Sequence, residues 1–153
     1  MDSIQASSAM MNALAISKAT QPLQASKTIL LVEDEEFVRE MICHILKAAH
    51  FHVFPCANAK QAQAVFRQYG HMVDVLITDV VLPGENGREL ARDLLEMDSE
   101  LKVILISGYP EELSVEQGRT QAQMFYLPKP FSSESLLRKV WQVTSATVGE
   151  IAI

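Results

Sequence analysis

Four places in this 153-residue chain carry polar groups of a kind that can handle an anion on a cation. They are the acidic pair Glu33-Asp34, the carboxylate Asp79, the hydroxyl of Ser107 and the ammonium of Lys129. Each comes at or just beyond the end of a short apolar run. Three carboxylates brought to one place repel one another unless a cation joins them. An all-oxygen set suits Mg²⁺, which takes few carboxylates and keeps several waters. A lysine and a serine beside it can hold the oxygens of a phosphoryl group. This chemistry requires that residues almost a hundred positions apart meet, so it depends on the elements that carry them.

The apolar run Thr28-Ile29-Leu30-Leu31-Val32 predicts a buried strand. Phe37, Val38, Met41, Ile42, Ile45 and Leu46 then recur at helical spacing. His52-Val53-Phe54 reads as a second strand, with Asn58 as the N-cap of a helix running to about Tyr69. Asp74 to Thr78 is a third strand, Pro83-Gly84-Glu85-Asn86-Gly87 a turn cluster, and Arg88 to Met97 a helix. Lys102 to Ile106 is a fourth strand. A weakly patterned segment from Pro110 to Thr120 is expected to be a helix. Met124 to Leu127 is a fifth strand, and Ser132 caps a helix carrying Leu136, Leu137, Val140 and Trp141.

Near-continuous apolar strands alternating with helices imply a parallel sheet covered on both faces, an α/β doubly wound fold. In such a sheet ligands sit beyond the carboxyl ends of the strands. That edge is where Glu33, Asp34, Asp79, Ser107 and Lys129 fall. Residues 1–26, rich in Ala, Ser and Gln, read as a flexible or short-helical tail, residues 27–145 as the domain, and residues 146–153 as a C-terminal tail.

Composition narrows the function. Hydrophobic residues are 48% and charged residues 21%, with a net charge of −6, an ordinary globular mix. No basic block is present, so nucleic acid is not an expected direct partner. No apolar run is long enough to cross a membrane. The stretch Met10 to Ile16 lacks the positive flank of a signal peptide, and a cytoplasmic location is expected. Cys43, His44, His50, His52 and Cys56 meet no metal-ligand spacing, and Cys43 is placed off the apolar face of its helix. His50 stands where glycine often ends a helix in the left-handed conformation, so a local backbone cost is expected there.

Ile29-Leu30-Leu31-Val32-Glu33-Asp34-Glu35, Thr78-Asp79 with Leu82-Pro83-Gly84-Glu85-Asn86-Gly87, Ile106-Ser107-Gly108-Tyr109 and Leu127-Pro128-Lys129-Pro130-Phe131 together resemble the receiver domain of two-component response regulators. Each motif alone is weak; four in order on the expected strand ends are specific. The resemblance covers roughly Lys27 to Thr144 and implies a (βα)5 fold with strand order 2-1-3-4-5.

The same resemblance implies the roles. Asp79 would accept a phosphoryl group from a phosphohistidine on a sensor histidine kinase or histidine phosphotransfer protein. Glu33 and Asp34, with Asp79 and the Val81 backbone carbonyl, would organise Mg²⁺. Ser107 and Lys129 would hold phosphoryl oxygens. Tyr126 matches the aromatic that swings inward on activation, and the Lys129–Pro130 bond is expected to be cis. Output would pass to a downstream protein through the 110–145 face, from a monomer or weak homodimer. Phosphorylation is expected to order the weakly patterned segment.

Two departures from the family pattern stand out. The acidic pair is Glu-Asp rather than the commoner Asp-Asp. Val81 and Tyr109 flank the path of attacking water, and neither orients water as an amide or carboxylate would, which predicts a long-lived phosphorylated form. The leading function is a signalling switch that assists its own phosphotransfer and autodephosphorylation but is no enzyme. A receiver module of a hybrid histidine kinase or phosphorelay is the alternative. A haloacid-dehalogenase-type phosphatase wants a second acid two residues after its nucleophile, where this chain has Val81. A flavodoxin-like carrier wants a Ser/Thr/Gly loop where this chain has Glu33-Asp34-Glu35-Glu36, which would repel phosphate. A phosphate-independent scaffold would not need the intact acid, serine and lysine set.

Overall fold

A computed structural model describes residues 27–108 and 123–145. The expected tails, the helix expected between Pro110 and Thr120, and Tyr109 lie outside the described residues.

Five parallel strands form one sheet: β1 (Thr28–Val32), β2 (His52–Cys56), β3 (Val75–Asp79), β6 (Lys102–Ser107) and β7 (Met124–Pro128), in the order β2-β1-β3-β6-β7. Two two-residue strands, β4 (Val81–Leu82) and β5 (Glu85–Asn86), pair as a separate antiparallel ribbon in the expected turn cluster. Leaving out that ribbon, the order is the expected 2-1-3-4-5.

Because side chains alternate along a strand, each strand supplies two cores. Ile29, Leu31, Val75, Ile77, Ile104 and Ile106 face α1 (Glu36–Ala48) and α4 (Ser133–Thr144). Leu30, Val32, Leu76, Val103 and Leu105 face α2 (Ala59–Tyr69) and α3 (Gly87–Met97). Both faces are covered, which is why the strands read as unbroken apolar runs. Each Leu or Ile buried this completely stabilises the fold by about 1.5–3 kcal/mol before entropy is counted.

The helix starts follow from their caps. Asn58 accepts the Gln61 amide at 2.8 Å, and Asn86 accepts the Arg88 amide at 2.7 Å. Ser132 and Ser135 form a reciprocal capping box, with bonds of 3.0 and 2.9 Å. A short 3₁₀ turn, Gly70–Met72, follows α2 and has no counterpart in the sequence reading.

Two sequence readings are corrected. Cys43 is buried in the core beneath α1, not off its apolar face. Conversely Phe37, Met41 and Trp141 are 79%, 43% and 46% exposed. The reason is angular. The buried stripe of α1 centres on Ile42 and Leu46, and Cys43, three residues before Leu46, lies only about 60° from it. Phe37 precedes Ile42, Met41 precedes Leu46 and Trp141 follows Leu136 by five positions, which is about 140° around a helix. An apolar residue is not on the buried face merely because it is near in sequence.

The end of α1 takes the expected form. His50 has φ 75°, in the left-handed region. Its amide donates to the Lys47 carbonyl at 2.9 Å, and the Phe51 amide donates to the Leu46 carbonyl at 3.1 Å. These two bonds, with Phe51 and Leu46 in the same core, form a Schellman end, for which glycine is the residue free of Cβ strain. His50→Gly is therefore expected to stabilise the domain by about 1 kcal/mol. The check is the urea midpoint at unchanged m-value; an unaltered or lower midpoint counts against the strain.

Candidate functional site

The carboxyl ends of β1 and β3 lie side by side at the centre of the sheet, where the strand order reverses, and β6 and β7 continue outward from β3. In an open α/β sheet this crevice is where ligands bind. The sheet thus brings Glu33, Asp34, Asp79, Ser107 and Lys129 to one edge. One carboxylate oxygen each from Glu33, Asp34 and Asp79 lie within 4.8 Å of one another. Glu33 and Asp79 are buried and Asp34 is exposed.

Lys129 Nζ stands 3.1 Å from Asp79 Oδ1. Apart from this ion contact, that buried oxygen has no hydrogen-bond partner among the described residues. An under-coordinated buried carboxylate oxygen beside two further carboxylates fits a hard cation. Burial alone would push the Lys129 ammonium down, but the Asp79 carboxylate, with Glu33 and Glu35 behind it, outweighs that and holds it above its ordinary value. Burial first, then the hydrogen bond and the like charge of Asp79, push the Glu33 carboxyl up to about 7, against the opposing Glu35 amide and Lys129.

Backbone packing sets the position of Asp79. The Val80 amide donates to the Ile106 carbonyl at 2.9 Å, and the Gly87 amide to the Val80 carbonyl at 2.7 Å. A Cβ on Gly87 would stand 1.8 Å from the Asp79 carbonyl oxygen, so only glycine admits this approach. Gly84, at φ 67°, turns the ribbon between β4 and β5. Glu85 Oε1 accepts the Ala59 amide at 2.9 Å and ties the ribbon to the start of α2. Val81, two residues beyond Asp79, is 63% exposed at the start of β4.

The other wall is equally fixed. Ser107, 3% exposed, ends β6, and its carbonyl accepts the Lys129 amide at 2.8 Å. The Lys129–Pro130 peptide is cis. Tyr126 is half-buried on the outer strand β7 and packs against the core shared with α2 and α3. Three structural contributors escaped the sequence reading: Arg39, Glu85 and Gly87. Glu85 and Gly87 were legible only as part of the turn cluster and motif, and Arg39 carried no signal in the sequence.

The comparisons agree with this geometry. A family model for the response regulator receiver domain matches residues 29–141. The sensor kinase CckA of Brucella abortus is 35% identical over 125 residues, 82% of this chain but 13% of that protein. The phosphate regulon transcriptional regulatory protein PhoB of Pseudomonas aeruginosa is 35% identical over 123 residues, 79% of this chain and 53% of that protein. Among solved structures, the receiver domain of the hybrid histidine kinase CckA matches with a TM-score of 0.65 and 29% identity, covering 76% of this chain and 97% of that one. The response regulator TrrA of Thermotoga maritima, in complex with Mg²⁺-BeF, matches with a TM-score of 0.65 and 25% identity, covering 76% and 98%. The chain belongs to the response regulator receiver domain family and has its flavodoxin-like fold. It is a receiver domain of two-component signalling. Among the described residues no helix is long and apolar enough to cross a membrane.

The raised Glu33 carboxyl has a measurable consequence. Between its ordinary value of 4.5 and about 7 the folded protein holds a proton there that the unfolded chain has released. Stability without metal is therefore complete below that window and falls as pH rises through it. In EDTA the unfolding free energy is expected to drop by on the order of 1–3 kcal/mol from pH 4.5 to 8 through this group. Glu33→Gln should flatten that slope, and an unchanged slope in the variant would remove Glu33 as its source.

Proposed function

We propose that Asp79 is the phosphoacceptor of a two-component or phosphorelay switch, with Glu33 and Asp34 as its Mg²⁺ partners. The observation that carries this reading is the buried Asp79 carboxylate, with one oxygen 3.1 Å from Lys129 and an oxygen within 4.8 Å of one each from Glu33 and Asp34. The Mg²⁺-BeF complex of the similar TrrA supports it.

The chemistry follows from charge. Asp79 attacks as an ionised carboxylate and needs no base. Its oxygen forms the new bond to phosphorus as the phosphorus–nitrogen bond of the donor phosphohistidine breaks, and the electron pair leaves with the imidazole. In-line transfer spreads charge over the phosphoryl oxygens, so catalysis is mainly positioning and electrostatic stabilisation. Bound Mg²⁺ would supply positive charge to those oxygens. Its protein ligands would be Glu33, Asp34 and Asp79, with the Val81 carbonyl. Lys129 then exchanges its contact with Asp79 for one with a phosphoryl oxygen, and Ser107 donates to another. Tyr126 reports the change by moving inward. The donor is a sensor histidine kinase or histidine phosphotransfer protein, and output passes to a protein partner through the 110–145 face.

Incubation with acetyl phosphate or beryllofluoride plus Mg²⁺ tests this directly. Wild type is expected to be modified or to bind the mimic, and Asp79→Asn to do neither. Lys129→Ala should keep the fold but lose most of the response. Equal modification of Asp79→Asn would sink the assignment.

The acyl phosphate then hydrolyses slowly on the same domain. The exposed apolar Val81, with Tyr109, gives attacking water no amide or carboxylate to orient it. The phosphorylated form is therefore expected to be long-lived. Val81→Asn or Tyr109→Glu should shorten it, by about tenfold for each 1.4 kcal/mol removed from the barrier. An unaltered rate of phosphate release in both variants would refute this control.

The likeness to CckA favours a second reading, a receiver module of a hybrid kinase or phosphorelay. Transfer of label from phosphorylated protein onward to a histidine phosphotransfer domain would mark that role.

A further inference from the structure

We propose that Arg39 is a positioning residue for the cation site: its guanidinium fixes the peptide between Glu33 and Asp34, so that both carboxylates meet Asp79. This rests on the reading of the site as Mg²⁺-assisted.

Glu33 lies between β1 and α1, where neither ladder nor helix holds the backbone. Besides the side-chain hydrogen bond to Asp79, three bonds among the described residues hold it instead. Its amide donates to the Cys56 carbonyl at 3.0 Å, its Oε2 accepts the Glu35 amide at 3.0 Å, and its carbonyl accepts Arg39 Nη1 at 2.8 Å. The first anchors the residue to β2 and the second turns its carboxylate. Among the described residues only the third acts on the peptide plane that leads into Asp34. Asp34 is exposed, so packing does not hold it as it holds Glu33 and Asp79. Arg39 sits one turn inside α1, and helical side chains lean back toward the N-terminus, which is the direction of Glu33.

Helix stability does not explain the contact. A cation reaching the N-terminal end of a helix opposes the macrodipole. Nor does simple Coulomb attraction serve the site, because a guanidinium repels the cation that the carboxylates would bind. The two accounts therefore differ in sign. If Arg39 acted only as a charge, its removal would tighten Mg²⁺ binding. If it holds the loop, removal weakens binding, because outer groups that orient ligands are typically worth 10–100-fold in metal affinity.

The experiment titrates the full chain with Mg²⁺ alone, followed by amide NMR shifts at residues 33–35 and 79–81. Wild type, Arg39→Met, Arg39→Lys and Lys47→Met are compared. Lys47→Met removes the same charge from the far end of the same helix. Arg39→Met is expected to bind Mg²⁺ about 10-fold or more weakly, Arg39→Lys to recover part of the loss, and Lys47→Met to match wild type. Unchanged or tighter Mg²⁺ binding in Arg39→Met overturns the proposal, even if the variant is less heat-stable. Should Arg39→Met fail to fold by circular dichroism, Arg39→Gln replaces it under the same criterion. A wild type with no saturable Mg²⁺ shift and no Asp79-dependent mimic binding overturns the underlying site reading instead.

Discussion

Mutual repulsion of three carboxylates is the constraint on which the rest of this structure turns. At separations within 4.8 Å, and at the effective dielectric of a partly buried site, two unit charges repel by roughly a few kcal/mol. The domain meets that repulsion in two ways. Lys129 places an ammonium against Asp79, and Glu33 is driven toward its protonated form. Neither is complete, since Asp79 Oδ1 keeps lone-pair capacity that the described residues do not use. A divalent cation is the kind of species whose charge suits such an edge.

Holding like charges together requires a rigid frame, and the frame is built of backbone. Parallel strands place β1 and β3 as neighbours, and the reversal of strand order opens the crevice between the loops that follow them. The Val80 and Gly87 amides fold the chain tightly behind Asp79. Glu85 ties that fold to α2, and Arg39 ties the Glu33 loop to α1. The Lys129 amide binds the Ser107 carbonyl, so the ammonium and the hydroxyl are carried on one linked pair of strand ends. Among the described residues the non-glycine left-handed position is His50, which closes α1 at the end opposite the Glu33 loop.

The same frame separates what is fixed from what can respond. Asp79, Glu33 and Ser107 are each under 5% exposed and are held by neighbours on several sides. Lys129 is nearly half exposed and Tyr126 half-buried on the outer strand, so neither is locked in by packing as the three buried residues are. Val81, just beyond Asp79 at the start of β4, faces solvent. A switch needs this division: an invariant core of charge, and a margin whose contacts change when that charge changes.

Much was legible in the sequence, because local rules fixed it. Unbroken apolar runs declared strands buried on both faces. Asn58 and Ser132 declared helix starts, His50 a left-handed end, and the four motifs after the strands declared the family and a candidate site. What the sequence did not determine depended on angle and on distant partners. Cys43 was misplaced because adjacency along the chain does not report the direction of a helix face. Phe37 and Trp141, five positions from buried residues, point away for the same reason. Gly87 is required by an oxygen eight residues earlier, and Glu85 and Arg39 gain their meaning from an amide and a carbonyl that only folding brings near. Periodicity and capping are local, so one strand of letters contains them. Convergence of charges, and the struts that hold it, are products of the tertiary fold, which alone decides which distant groups meet.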